Sequence, residues 1–393
     1  MAIGHRQSVH EERHKRLGPF APRQPNLVSQ GATLPPDLHD ERKSLNTMRN
    51  SESLLTHRLE RVFDDGSRRI VPIIGSGLHR HLGAHGVPEL DLCGANGLAN
   101  WADLLMSASL DKKGRPEFLV PRLECDDDPT AVWESMLAER AKVVDQPASH
   151  HEQVLRTRVA ALVREATPSS QVLVAFGQAL ASRGFRDIVS LNFDRTLDRA
   201  MRGASVDSMV YGRKPAEQTG NAGDAASMRP RLWHPHGMVA EPDEESTSGE
   251  PEFTARELQL GLRNYSTSSS DLLVDVHAFR VRKRNWKERQ RNTKRFHEHV
   301  REQPESWVDV LLNSDIVFIG CGLSRVELDL WLLLHERQRE LVRLPEADRP
   351  QGFFLHPLEG FPRKLRKSYA GLVPVITRSH DECWELLLGK WWA

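Results

Sequence analysis

A chain of 393 residues is long enough to bury a substantial core in one large or two ordinary domains, and with 54 Lys plus Arg against 54 Asp plus Glu its overall charge singles out neither a nucleic-acid binder nor an acidic tail protein. Its cysteines, Cys93, Cys125, Cys321 and Cys383, lie far apart with no Cys-x-x-Cys pair, which argues against a disulfide framework, a zinc ribbon and secretion. No stretch approaches the ~18 continuous apolar residues of a membrane span, so the expectation is a cytoplasmic protein with no membrane contact.

Residues 1–50 are polar, proline-containing and aperiodic, a composition that cannot bury enough surface to offset chain entropy; they read as a mobile polar arm. The folded body, residues 51–393, opens with "SESLLTHRLERVF", where Leu54, Leu55, Leu59 and Val62 share a helical stripe behind a capping Ser51. The run Ile70 to Ile74 then has the character of a strand buried on both faces of a parallel sheet. It stops at Gly75-Ser76-Gly77, a turn whose glycines let the backbone approach an anion or simply turn into a helix. Two phosphate-binding patterns fail here. A Walker loop lacks its Gly-Lys-Ser/Thr, and a dehydrogenase fingerprint would need glycine where Arg80 stands.

From about 101 to 180 the spacing of "DPTAVWESMLAERAKVV" and "EQVLRTRVAALVREA" predicts a helical insertion layered over the sheet. A second strand, Ile188 to Leu191, runs into Asn192-Phe193-Asp194 and a helix. Open α/β sheets hold ligands at such strand ends, although Asn192 and Asp194 are also apt residues for an Asx turn and a helix cap. Leu232 and Trp233 lead to His234-Pro235-His236-Gly237, which sets a histidine at another strand end, where it can act as a base near neutral pH. Loops are expected at 212–230 and 241–252. The basic stretch at about 278–301 reads as one long solvated helix, with contact to nucleic acid or to an acidic partner surface the less favoured account. Ile316 to Ile319 then delivers Gly320-Cys321-Gly322-Leu323-Ser324 into a helix, and two more strands and a closing helix follow. The fold class is therefore α/β, a Rossmann-like parallel sheet with helices on both faces plus the helical insertion.

Taken in order, GSGLH, LNFD, HPHG and FIGCGLS, each after an apolar strand, resemble the sirtuin-like NAD-consuming family, and more narrowly its bacterial antiphage-defence branch. "GVPELD" and "NWADLL" add to the resemblance, which spans roughly residues 55–390 by motif order. Sirtuin deacylases carry two Cys-x-x-Cys pairs around structural zinc and a Phe-Gly-Glu segment. Residues 238–314 hold no cysteine, and FIGCGLS replaces Phe-Gly-Glu. A cysteine zinc module therefore has no ligands, no metal is expected, and NAD enters as substrate with no resident cofactor.

The resemblance implies an NAD hydrolase (NADase) that releases nicotinamide and ADP-ribose and harms an infected cell by depleting NAD. It further implies that the protein stays silent until a homo-oligomer, a partner ATPase or another sensor triggers it. The alternatives are a sirtuin-like deacylase or ADP-ribosyltransferase, and a non-catalytic NAD or ADP-ribose binding scaffold. On this reading Asn192 orients water or a ribose hydroxyl, and His236 takes the proton as base. Asp194 meets the nicotinamide carboxamide or developing positive charge. Gly75, Ser76 and Gly77 cradle the pyrophosphate, with Gly320, Gly322 and Ser324 on the adenosine side. His79 stands where the family commonly has serine, and replacing Asn192 or His236 with alanine is expected to abolish NAD loss while leaving the protein folded.

Overall fold

A computed structural model describes residues 70–87, 101–111, 113–120, 129–165, 170–204, 207–210, 230–239, 262–290, 293–323, 327–358 and 370–389. The chain divides into two units at Asn50 and Ser51, and every described residue belongs to the second. The predicted arm, the helix from Ser51, the loop at 212–230 except for Pro230, the loop at 241–252, and Ser324 lie outside the described residues.

Seven strands form one sheet in the order β3-β4-β2-β1-β5-β6-β7: β1 (Ile70–Ile74), β2 (Asp187–Ser190), β3 (Asp207–Val210), β4 (Arg231–His234), β5 (Asp315–Ile319), β6 (Gly352–Pro357) and β7 (Leu372–Thr377). Every pairing is parallel. Alternation along the strands explains why both faces are covered. Val71, Ile73, Ile316 and Phe318 point into one apolar cluster, whereas Ile70, Ile74, Val317 and Ile319 point into the other. The fold is thus the expected Rossmann-like α/β sheet.

On one face lie α1 (Gly77–Ala84), α5 (Gln171–Ser182), α6 (Thr196–Met201) and α11 (His380–Leu388), which contribute Leu78, Phe176, Leu197 and Trp384 to the core. On the other lie α7 (Leu262–Gln290), α8 (Thr293–Glu302), α9 (Trp307–Asn313) and α10 (Leu328–Leu341), with Phe279, Phe296, Leu311 and Leu333 buried. The remaining helices, α2 (Trp101–Ala108), α3 (Pro129–Val143) and α4 (Ala148–Glu165), build a third apolar cluster around Leu105, Trp133, Met136 and Val159. The helical layer thus runs from Trp101 to Glu165, because α5, inside the span expected for it, packs into the core of the sheet.

One expectation is overturned. The basic stretch is a helical hairpin, since the rings of Phe279 and Phe296 are 5.4 Å apart, where a continuous helix would separate them by about 25 Å at its rise per residue. Three of its cations, Arg280, Arg282 and Lys283, are paired within the fold. Arg280 reaches Glu336 at 2.6 Å and Glu340 at 2.7 Å, and Arg282 reaches Asp309 at 2.5 Å and also pairs with Glu305. Arg284, Lys287, Arg289, Lys294 and Arg295 are exposed to solvent.

At Gly177 the helices α5 and α6 cross so closely that an added Cβ would lie 1.8 Å from the Ala200 carbonyl oxygen. Gly177→Ala must push two helices apart and is expected to destabilise by about 1–3 kcal/mol. Urea denaturation checks this, and an unchanged midpoint would contradict the close crossing.

Candidate functional site

The register brings the chemistry-bearing turns to one edge. Ile74 pairs with Ile319 and with Ser190, and Val189 pairs with Trp233. The residues that follow, Gly75, Gly320, Leu191 and the turn after His234, therefore leave the sheet side by side. Strand order reverses between β1 and β5, the switch point at whose carboxyl edge open α/β sheets bind ligands.

The two glycine turns touch. The Gly75 amide donates to the Ile319 carbonyl at 3.1 Å, and the Gly77 amide to the Gly320 carbonyl at 2.8 Å. A Cβ on Gly77 would sit 2.5 Å from Gly320 Cα. These glycines are therefore required for backbone-to-backbone approach, and those two amides are engaged within the fold. Ser76 is exposed at the tip of the turn and its hydroxyl does not cap α1. Gly320 (φ +64°) and Leu323 (φ +44°) both lie in the left-handed region, a strained setting for leucine. Gly322 between them is exposed, with open space where a side chain would be.

Asn192 follows β2 and donates from Nδ2 to the Gly75 carbonyl at 3.2 Å, which joins the second motif to the first. Asp194 does two things. Its Oδ1 accepts from the Thr196 amide at 2.8 Å, forming the Asx turn that starts α6, and its Oδ2 lies 2.9 Å from His79 Nε2. Burial by itself would raise the Asp194 carboxyl; the adjoining His79 ring and the Thr196 donors outweigh that and hold it well below the usual carboxylate range. His79 is thus the partner of Asp194.

His236 is held on both sides. Its Nε2 is 2.9 Å from Asp329 Oδ2, and it also hydrogen-bonds the backbone of Leu191. Burial favours the neutral ring, yet the Asp329 carboxylate prevails and raises the His236 pKa; for Asp329 burial is likewise outweighed, by His236, and its pKa falls. Asp329, in the first turn of α10, was not singled out in the sequence, where "RVELDLW" reads only as an amphipathic helix start. Ser268 of α7 places its hydroxyl 3.5 Å from the same carboxylate oxygen.

Asn192, Asp194 and His236 are 8 %, 9 % and 3 % exposed, so the edge is covered rather than open. The cover is identifiable. Phe193 and Val239, which flank these motifs, pack into the core of the helical layer, and the Val239 amide donates to the Phe193 carbonyl at 2.8 Å. The layer formed by α2, α3 and α4 therefore rests on the segments that carry the site. Among the described residues no helix is long and apolar enough to cross a membrane. No family model matches the chain, and no curated protein sequence matches it either.

Proposed function

We propose that the chain is an NAD hydrolase that binds NAD across the β1/β5 edge and cleaves its nicotinamide bond, acting in antiphage defence by depleting NAD. One observation carries the reading. Four motifs spread from Gly75 to Gly322 converge on the carboxyl edge at the switch point of a parallel sheet, linked by the Asn192–Gly75 and Gly77–Gly320 hydrogen bonds. The order of these motifs resembles that of the sirtuin-like family, which supports the reading.

Cleavage of the nicotinamide bond develops oxocarbenium character while a neutral group departs, so the site chiefly holds the ribose, excludes bulk water and directs a nucleophile. Asn192, fixed through its amide nitrogen, keeps a carbonyl oxygen able to orient water or a ribose hydroxyl. Asp194 is an anion close to where positive charge forms, and the exposed Ser76 and Gly322 offer the approach for pyrophosphate and adenosine. His236 accepts a proton only once the ring has lost the one it shares with Asp329. Activity is gated by self-assembly or by a partner ATPase or sensor that moves the helical layer.

Incubation of purified full-length protein with NAD, with nicotinamide release followed by chromatography, tests the proposal. The wild-type chain is expected to bind NAD and, at concentrations that drive self-assembly, to release nicotinamide, and Asn192→Ala to lower the rate by about 10²-fold or more. Absence of NAD binding, or an undiminished rate in Asn192→Ala, would overturn it.

A further inference from the structure

On the sheet face opposite α7, the far end of α1 carries a second group of side chains that the NAD reading does not use. His81 in the last turn of α1 and His85, which caps its C-terminal end, project toward Asp381 in the first turn of α11. His81 Nδ1 lies 2.9 Å and His85 Nε2 3.0 Å from Asp381 Oδ1, and one donor atom from each residue falls within 4.8 Å of the others.

We propose that His81, His85 and Asp381 bind a divalent transition metal, zinc by donor chemistry, which clamps the C-terminal helix α11 to α1. Two imidazoles and one carboxylate are an established zinc donor set that leaves the fourth position to water. Bonds of about 2.0–2.1 Å in a tetrahedron set ligand atoms roughly 3.3 Å apart; the two His–Asp separations, 2.9 and 3.0 Å, lie close to that value, and the two ring nitrogens are within 4.8 Å of each other.

The surroundings hold the donors in place. The His81 ring stacks on Trp384 at 5.2 Å between centroids and meets the His85 ring edge-on at 4.6 Å. Asp381 is not consumed by capping, because Ser379 accepts the Glu382 amide at 3.2 Å and caps α11. The side chains of His81, His85 and Asp381 are 0 %, 18 % and 46 % exposed, a gradient that leaves the carboxylate side open for an entering ion and its water. Arg80 does not compete for the carboxylate and instead lies 3.2 Å from the ring nitrogen of His380.

His79 lies on the same helix, so an ion at His81 and His85 would fix the helix that supplies the partner of Asp194. The proposal nonetheless stands apart from the NAD reading and fails or survives separately.

Cobalt(II) titration of the tag-free, chelator-stripped full-length chain tests it. One equivalent is expected to develop the intense visible bands of tetrahedral coordination, and zinc to abolish them. His85→Ala removes a part-exposed ligand, and Asp381→Asn keeps a hydrogen-bond acceptor while weakening ligation. Each is expected to lower cobalt affinity by more than about 100-fold while keeping the wild-type circular dichroism spectrum, and zinc is expected to raise the melting midpoint of the wild-type chain alone. Absence of tetrahedral bands, or equal cobalt binding by the wild-type chain and both variants, would overturn the assignment.

Discussion

His236→Ala is expected to destabilise the fold by about 3–5 kcal/mol near neutral pH, because it strands the Asp329 carboxylate in a fully buried position. This differs from the sequence-based expectation that the protein stays folded without His236. The sign of the pH dependence follows from the two shifts. The His236 pKa is raised in the fold, so its contribution is complete below about pH 6.5 and is lost as pH rises through the higher folded value. The Asp329 pKa is lowered, so its contribution is complete above about pH 4 and is lost as pH falls through the folded value. The pair is therefore strongest between these limits. If His236 is the base, the rate of NAD cleavage rises with pH while the stability contribution of the pair falls. Asp329→Asn removes the charge that opposes burial, lowers the His236 pKa and shifts the rising limb of the rate to lower pH. Denaturation midpoints and initial rates measured across pH for the wild-type chain and Asp329→Asn check both halves. A rate limb that stays in place would remove His236 from proton transfer.

The second large effect concerns His79. His79→Ala is expected to cost about 3–5 kcal/mol at neutral pH, since it leaves the Asp194 carboxylate, 9 % exposed, with the Thr196 donors alone. The Asp194 pKa is lowered in the fold, so its contribution is complete above about pH 4 and is lost as pH falls through the folded value. Without His79 that pKa moves upward, so the deficit of His79→Ala is largest near neutral pH and narrows as pH falls and Asp194 takes up a proton. Thermal melts from pH 3 to 7 distinguish the variants: His79→Asn, which keeps a donor, should recover part of the loss, whereas equal acid sensitivity in the wild-type chain and His79→Ala would contradict the pairing.

What could be read from the sequence followed its locality. Each buried strand preceding a chemical turn is marked by a short apolar run, so β1, β2, β4 and β5 and the residues after them were legible, and with them the parallel sheet. The edge strand β3, "DSMV", has only two apolar residues and left no signal. The Asx turn of Asp194 is a local contact and was foreseen as an alternative. Its bond to His79 joins residues far apart in the chain, and the pairing of His236 with Asp329 does the same; neither leaves a periodic trace. The basic hairpin was misread because charge density says nothing about which acids will face it, although Asn292-Thr293, residues apt to begin a helix, hinted at the break. The glycines of the first turn read as a phosphate cradle, and nothing local revealed that Gly77 packs on Gly320.

Hydrogen–deuterium exchange of the full-length chain with and without NAD tests the location of the site most directly. Binding across the β1/β5 edge predicts NAD-dependent protection in peptides covering Gly75–Leu82, Leu191–Met201 and His234–Val239, and weaker protection of these peptides in Asn192→Ala. Unchanged exchange in all three segments at saturating NAD would contradict the account.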